Sequence, residues 1–284
     1  MSTAARRQCS HWEYLASAYP LLGSPLRPSP EDIAIAEAAV EAYVATRSAY
    51  SSLAVLMGAT PDLARMRWPA STKLIGSDAS HAMMRFVWPG DEATMRFGIC
   101  ANWLAFPLPP SSVQIVVGDG SLNCVRHPEE ADALCASVRD VLVEDGLMVL
   151  RCFVRPHQPE SVDGVFSEMY RGAIPTYSQF KFRLFVAMEQ DLRRGLAVAE
   201  LYRLWASYSI DPVCLAKATG WPLSEIQTMD GFRDSSTVHT FPTMTEFRGL
   251  LERHFDLVDI RTPSYPLGEQ CPTFVVRNSR RDRS

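Results

Sequence analysis

Val55-Leu56-Met57-Gly58-Ala59-Thr60-Pro61 decides how this chain is read. Residues 53–57 are an unbroken apolar run, and the run stops at a glycine and turns at a proline. That is the shape of a buried strand entering a tight loop. A second short strand, 73–76, follows and is closed by Asp78. A carboxylate is acceptor-only and can take both hydroxyls of a ribose, and a residue just past a strand's end is held rigidly enough to do so. In Asp78-Ala79-Ser80 the same carboxylate is also placed to cap a helix through His81-Ala82-Met83-Met84. Both readings stand at this level.

The pattern extends in both directions. Upstream, Ser29-Pro30-Glu31-Asp32 reads as a helix start, and Ile33, Ala36, Val40 and Val44 recur at helical spacing to about Arg47. Downstream, strands are expected over 95–100 and 113–117. His127-Pro128-Glu129-Glu130 opens a helix whose apolar face is Leu134, Val138, Val141 and Leu142. Asp145-Gly146 is expected to end that helix before a strand over 147–154. Strand, crossover helix, strand is the signature of a parallel sheet. After Pro156 the pattern turns helical, over roughly 180–194, 196–209 and 212–228, with many aromatics. Thr243 and Glu246 form a capping box ahead of Phe247, Leu250 and Leu251, and strands follow at 255–260 and 273–277. The expected fold is α/β: a Rossmann-like, mostly parallel sheet of seven strands with helices on both faces and a helical insertion after the fifth strand. The expected division is an N-terminal cover and helix (1–48), a core (49–156 and 243–279) and an insertion (157–242) that caps a substrate site.

A parallel sheet binds ligands at the carboxyl ends of its strands. Gly58, Asp78, Cys100-Ala101-Asn102-Trp103 and Gly118-Asp119-Gly120-Ser121 all fall there. A dinucleotide loop carries three glycines whose amides cradle a pyrophosphate. This loop carries one. Pro61 has no amide to donate, and Asp62 opposes a phosphate. The loop suits a nucleoside bearing a cation or zwitterion, such as S-adenosylmethionine, better than NAD or FAD. Asn102 or its neighbours can read an adenine edge, with Trp103 as either a ring wall or core. Gly118 and Gly120 let the backbone turn sharply or touch a ligand, and Asp119 can meet an ammonium, orient an acceptor or bind local amides.

Together these residues resemble the class I S-adenosylmethionine-dependent methyltransferases, over about residues 50–155 and 255–277. The stretch from Val55 to Pro61 resembles the family's first motif, departing from its usual Gly-x-Gly at Ala59. Asp78 matches the ribose-binding acid. Asn102 stands near an adenine-binding aspartate, and Gly118-Asp119-Gly120-Ser121 matches the end of the fourth strand. The resemblance implies S-adenosyl-L-methionine held by Tyr19, Gly58, Ala59, Thr60, Asp78, Ala79, Met83, Asn102, Trp103, Gly118, Asp119 and Gly120. Arg27 is an alternative to Tyr19 at the cofactor carboxylate. It also implies a monomer or homodimer acting on a small acceptor, apolar or planar given the aromatic insertion. Asp119 and His239 are the candidate catalytic residues. His127 and His157 are further candidates for a base, because imidazole titrates near neutrality.

Composition excludes several classes. Apolar residues make up 47% and charged residues 21%, as in a globular protein, and the net charge of -4 argues against a broad nucleic-acid surface. The seven cysteines include no CxxC pair, which fits free thiols in a reducing, cytoplasmic setting, and the histidines have no metal-ligand spacing. No apolar run is long enough for a membrane span, and the first residues lack the apolar core of a secretory signal. The run from Arg277 to Arg283 reads as a solvated tail. Two rival functions remain. One is a cofactor-binding scaffold or partner subunit without catalysis. The other is a nucleic-acid binder using a helix-turn-helix over 215–226.

Overall fold

The computed structural model describes residues 12–47, 52–91 and 95–278. Helix α1 (Pro30–Ala45) starts at Ser29, whose hydroxyl and the Asp32 carboxylate satisfy each other's backbone amides in a capping box. Strand β1 (Ser52–Met57) runs into α2 (Pro61–Ala64), and β2 (Thr72–Asp78) into α3 (His81–Phe86). Then come β3 (Arg96–Cys100), β4 (Val113–Asp119), α4 (Glu129–Val141) and β5 (Leu142–Arg151). The insertion holds α5 (Val162–Tyr170), α6 (Tyr177–Met188), β6 (Leu196–Ala197), α7 (Val198–Ser207), α8 (Pro212–Thr219), α9 (Leu223–Gln227) and β7 (Val238–His239). Helix α10 (Met244–His254), with the expected Thr243–Glu246 box, leads to β8 (Asp256–Arg261) and β9 (Thr273–Arg277).

Seven strands form one sheet in the order β3-β2-β1-β4-β5-β9-β8. All run parallel except β9, which is antiparallel to both its neighbours. The carboxyl ends of β1, β2, β3 and β4 therefore open on one edge. Strands β1 and β4 are buried on both faces, as their continuous apolar sequences require. One core packs α4 and α10 on the sheet through Leu134, Val138, Phe247 and Leu251. The other packs α1 through Val40 and Tyr43. Burying each such side chain stabilises the fold by about 1.5–3 kcal/mol.

Four local expectations need correction. Asp145-Gly146 does not end α4. The helix stops at Val141, and the dipeptide forms a bulge within β5, where pairing with β4 jumps from Val113–Leu142 to Ile115–Leu147. Asp145 takes φ +59°, held by a salt bridge from Arg47 and by its own amide, which donates to Asn278 O at 2.6 Å. Arg277 and Asn278 are not tail. Arg277 completes β9, and the Asn278 amide donates to the carbonyls of Arg139, Leu142 and Val143, closing the bulge. Residues 279–283 of that run lie outside the described residues. The helix expected over 180–194 ends at Met188, and the one over 212–228 breaks at Gly220 (φ +75°) and Pro222.

The insertion has its own core, in which Phe166, Tyr177, Phe180 and Phe182 are almost wholly buried. Trp221 packs on Tyr177 and Phe180, so the turn of the supposed helix-turn-helix faces inward. Among the described residues no helix is long and apolar enough to cross a membrane.

Candidate active site

At the carboxyl edge of the sheet, two adjoining cavities of about 160 and 360 Å³ share Trp12, Asp78, Trp103 and Cys124 as walls. Tyr19, Gly58, Ala59, Thr60, Met83, Asp119, Gly120 and His239 line the smaller. Ala79 and Asn102 line the larger. The expected residues thus converge, with Gly118 as the exception. It is buried in β4, where an added Cβ would sit 2.6 Å from Ser121 Oγ and 3.0 Å from Met57 Cε. Its glycine serves packing, and it borders a separate void of about 10 Å³ beside Arg151.

Gly58 has φ +107°, a conformation that only glycine adopts without strain. The turn brings the Ala59 amide to Asp78 Oδ2 at 3.3 Å, and the Ser80 amide meets Oδ1 at 2.8 Å. Ser80, through its hydroxyl, caps α3 at Met83 N. Asp78 is therefore freed from capping. Two amides orient it at the seam of the cavities, where burial pushes its carboxyl up to about 6 against the pull of those amides. Trp103 donates from Nε1 to Ser77 O at 2.7 Å, which fixes its ring between the cavities. The Asn102 side-chain oxygen accepts from Leu104 N at 3.0 Å, so it is already engaged locally.

Gly120 (φ +62°) makes room for an aromatic neighbour, since a Cβ there would lie 2.8 Å from the Phe153 ring. Asp119 Oδ1 accepts from Arg151 Nη1 at 2.6 Å. Arg151 Nε lies 3.1 Å from Asp32 Oδ1, and Nη2 donates to Pro25 O and to Tyr265 Oη. Tyr265 in turn donates to Asp32. The Arg151, Asp32 and Asp119 side chains are 4%, 2% and 8% exposed. Two carboxyl groups share one guanidinium away from water, and Asp119 of the three lines the smaller cavity. Burial pushes the Asp119 carboxyl up and Arg151 opposes it.

Tyr19 reaches the cavity, but its hydroxyl donates to Asp62 Oδ2 at 3.3 Å, and Arg27 clamps both oxygens of Asp62 at 2.9 and 2.8 Å. Both residues expected near a ligand carboxylate, Tyr19 and Arg27, thus pair with Asp62, and Tyr19 lines the cavity.

His239 Nδ1 lies 3.3 Å from the carbonyl of Asn123 and 3.8 Å from Cys124 Sγ. A carbonyl only accepts, so Nδ1 carries the proton and Nε2 presents a lone pair. Burial pushes the imidazole down to about 4, so it is neutral near pH 7. His127 is not at the site. It is buried under the start of α4, edge-on to Phe247, with Nε2 near Leu122 O. His157 is exposed on the loop after β5 and lines neither cavity.

Sequence reasoning missed Asn123 and Phe153. Asn123 Nδ2 donates to Phe153 O and Thr240 O at 2.7 Å, and its Oδ1 accepts from Phe153 N at 2.9 Å. One side chain thus joins the loop after β4, the segment after β5 and the chain returning from the insertion. A lone asparagine in Ser-Leu-Asn-Cys gives no sequence signal of this. Among the described residues no group of three or more His, Cys, Asp or Glu side chains is placed to hold a metal ion.

No protein-family model and no curated protein matches the chain. A crystal structure from Rhodobacter sphaeroides, named for a zinc-dependent alcohol dehydrogenase, superposes with a TM-score of 0.62 at 15% identity, covering 97% of this chain and 99% of that one. The CurJ carbon methyltransferase superposes with a TM-score of 0.51 at 10% identity, over 89% of this chain and 56% of that one. A methyltransferase from Methanosarcina mazei gives 0.48 at 14% identity, over 83% and 96%. At these identities the first two likenesses speak to fold alone. The seven strands in this order, with one antiparallel strand second from the edge, together with the likeness to CurJ, give the chain the Rossmann-like fold seen in class I S-adenosylmethionine-dependent methyltransferases.

Proposed function

We propose that the protein transfers a methyl group from S-adenosyl-L-methionine to a small-molecule acceptor. The observation that carries this reading is Asp78, a carboxylate oriented by two amides at the junction of two cavities on the carboxyl edge of the sheet. The donor set fits the cofactor. Asp78 suits the ribose hydroxyls, and Ala79 with Asn102 borders the cavity an adenine would take. The Asp119 carboxyl, the member of the Asp119–Arg151–Asp32 cluster that lines the smaller cavity, suits an ammonium group as a hydrogen-bond acceptor. A phosphate finds little: Pro61 offers no amide, and Asp62 occupies the first turn of α2.

When bound, S-adenosylmethionine supplies an electrophilic methyl on a positively charged sulfur. The protein's part is to align the acceptor with that methyl and exclude water. Trp12, Leu15, Leu22 and Leu26 cover the smaller cavity from the N-terminal side. Phe185, His239 and Phe241 close it from the insertion, so residues 157–242 act as the acceptor-site cap. Asp119 is a positioning group, since Arg151 holds its charge. His239 supplies a hydrogen-bond acceptor. Calorimetry with S-adenosylhomocysteine and with NADH tests the proposal. Saturable binding of the first, lost in Asp78→Ala, is expected, whereas a preference for NADH overturns it.

A further inference from the structure

The larger cavity combines apolar wall, from Trp12, Trp103, Leu104 and Val125, with a few polar side chains. A purine asks for the same combination, because its faces are apolar and its edge is told apart by hydrogen bonds. Adenine carries a donor, the 6-amino group, between two acceptors, N1 and N7. Reading that amino group takes a hydrogen-bond acceptor on the cavity wall.

The polar side chains around the cavity differ in what they have left to offer. Asp78 lies at the seam with the smaller cavity, each oxygen on an amide. Ser80 Oγ accepts from the Met83 amide, and Trp103 Nε1 donates to Ser77 O. Asn102 Oδ1 accepts from the Leu104 amide, so its remaining group is Nδ2, a donor. Glu130 is different. Its Oε2 accepts from the Arg126 amide at 2.9 Å, and its Oε1 has no hydrogen-bond partner among the described residues.

We infer that Glu130 accepts from the 6-amino group of the cofactor's adenine and makes the site selective for adenine over 6-oxopurines. This rests on the reading of the site as one for S-adenosylmethionine. It moves to the first turn of α4 the acceptor that the sequence resemblance places after β3, near Asn102.

The fold puts Glu130 in position for that role. It is the second residue of α4, and its bond to Arg126 draws the half-buried side chain back toward the loop that precedes the helix. Helix α4 is tied to the segment after β3, since the Phe106 amide donates to Ser137 Oγ at 3.1 Å. Asn102 and Glu130 therefore border one cavity from two elements fixed to each other. Between them they offer a donor, Asn102 Nδ2, and an acceptor, Glu130 Oε1. Adenine takes a donor at N1 and gives one at its 6-amino group. A 6-oxopurine reverses both atoms: its carbonyl oxygen meets a carboxylate and its N1–H meets an NH2 group. A site built on hydrogen bonds rejects such a mismatch strongly, because its polar groups are then left unpaired.

Calorimetry with S-adenosylhomocysteine and with its 6-oxo analogue, S-inosylhomocysteine, tests this without turnover. The wild-type protein is expected to bind the amino form at least about tenfold more tightly. Glu130→Gln keeps an oxygen for the Arg126 amide and turns an NH2 group to the purine. It should weaken the amino form about tenfold and tighten the 6-oxo form, so that the preference disappears or reverses. Glu130→Ala should weaken the amino form alone. Equal wild-type affinity for the two forms, or a preference for the 6-oxo form, overturns the inference. So does a preference that survives Glu130→Gln, or a loss shared equally by both forms, which makes Glu130 a structural brace of the helix start. Failure of both forms to bind the wild-type protein instead overturns the cofactor reading beneath it.

Discussion

In the proposed function Asp78 accepts from both ribose hydroxyls, for which it must be ionised. Burial raises its carboxyl to about 6 in the folded protein, so below that pH a ligand has to displace a proton before it binds. Affinity for S-adenosylhomocysteine should be constant above about pH 7 and fall about tenfold per unit below about pH 6, the sign expected for a raised acid that binds its ligand deprotonated. Calorimetry across that range checks it. Asp78→Asn should abolish the pH dependence and weaken binding at neutral pH by about 10- to 100-fold, the worth of a hydrogen bond to a charged group. The place of Asp78 at the end of β2 was legible in the sequence, because a short apolar run closed by an acid marks a strand end. That Ser80 rather than Asp78 caps α3 was not, because both residues cap helices equally well in a string of letters.

Among elements, the joint between α1, β4 and β5 is the most exposed to charge. Asp32, Asp119 and Arg151 come from three separate elements and meet out of water. Arg151→Met leaves two buried carboxylates with no cation, a loss of about 3–5 kcal/mol in urea unfolding at neutral pH. The deficit should shrink on acidification, because Asp119, whose carboxyl burial already pushes up, then protonates and no longer needs a cation. The N-terminal cover is docked differently. Tyr14 donates to Gln227 O at 3.0 Å and packs against Gly231, where an added Cβ would meet its ring at 1.9 Å. Gly231→Ala should lift the cover and speed S-adenosylhomocysteine release several-fold in stopped-flow fluorescence, with circular dichroism unchanged. Element ends were readable where side-chain chemistry marks them, as at Ser29 and Thr243. They were misread at Asp145, where the bulge depends on Arg47 and Asn278 from distant parts of the chain.

At the scale of the molecule, the site is assembled from the N-terminal cover, the sheet edge and the insertion, so a ligand that fills it binds the folded state alone. S-adenosylhomocysteine at a concentration of 100 Kd should stabilise by about 2.7 kcal/mol. For a chain of 284 residues that is a rise in Tm of roughly 5 °C, read by differential scanning fluorimetry and absent in Asp78→Ala.

By itself the sequence determined the alternation of strands and helices, the capped starts of α1 and α10, and a glycine and an acid at successive strand ends. Those are local matters of periodicity, capping and backbone freedom, and neighbouring residues decide them. Tertiary structure alone decided that Gly118 packs while Gly120 faces the cleft, that Arg27 belongs to Asp62, and that Asn123 fixes the tautomer of His239. Each of these joins residues far apart in the chain, and the hydrogen bonds and buried charges that select them exist only once the sheet and the insertion have closed on one another.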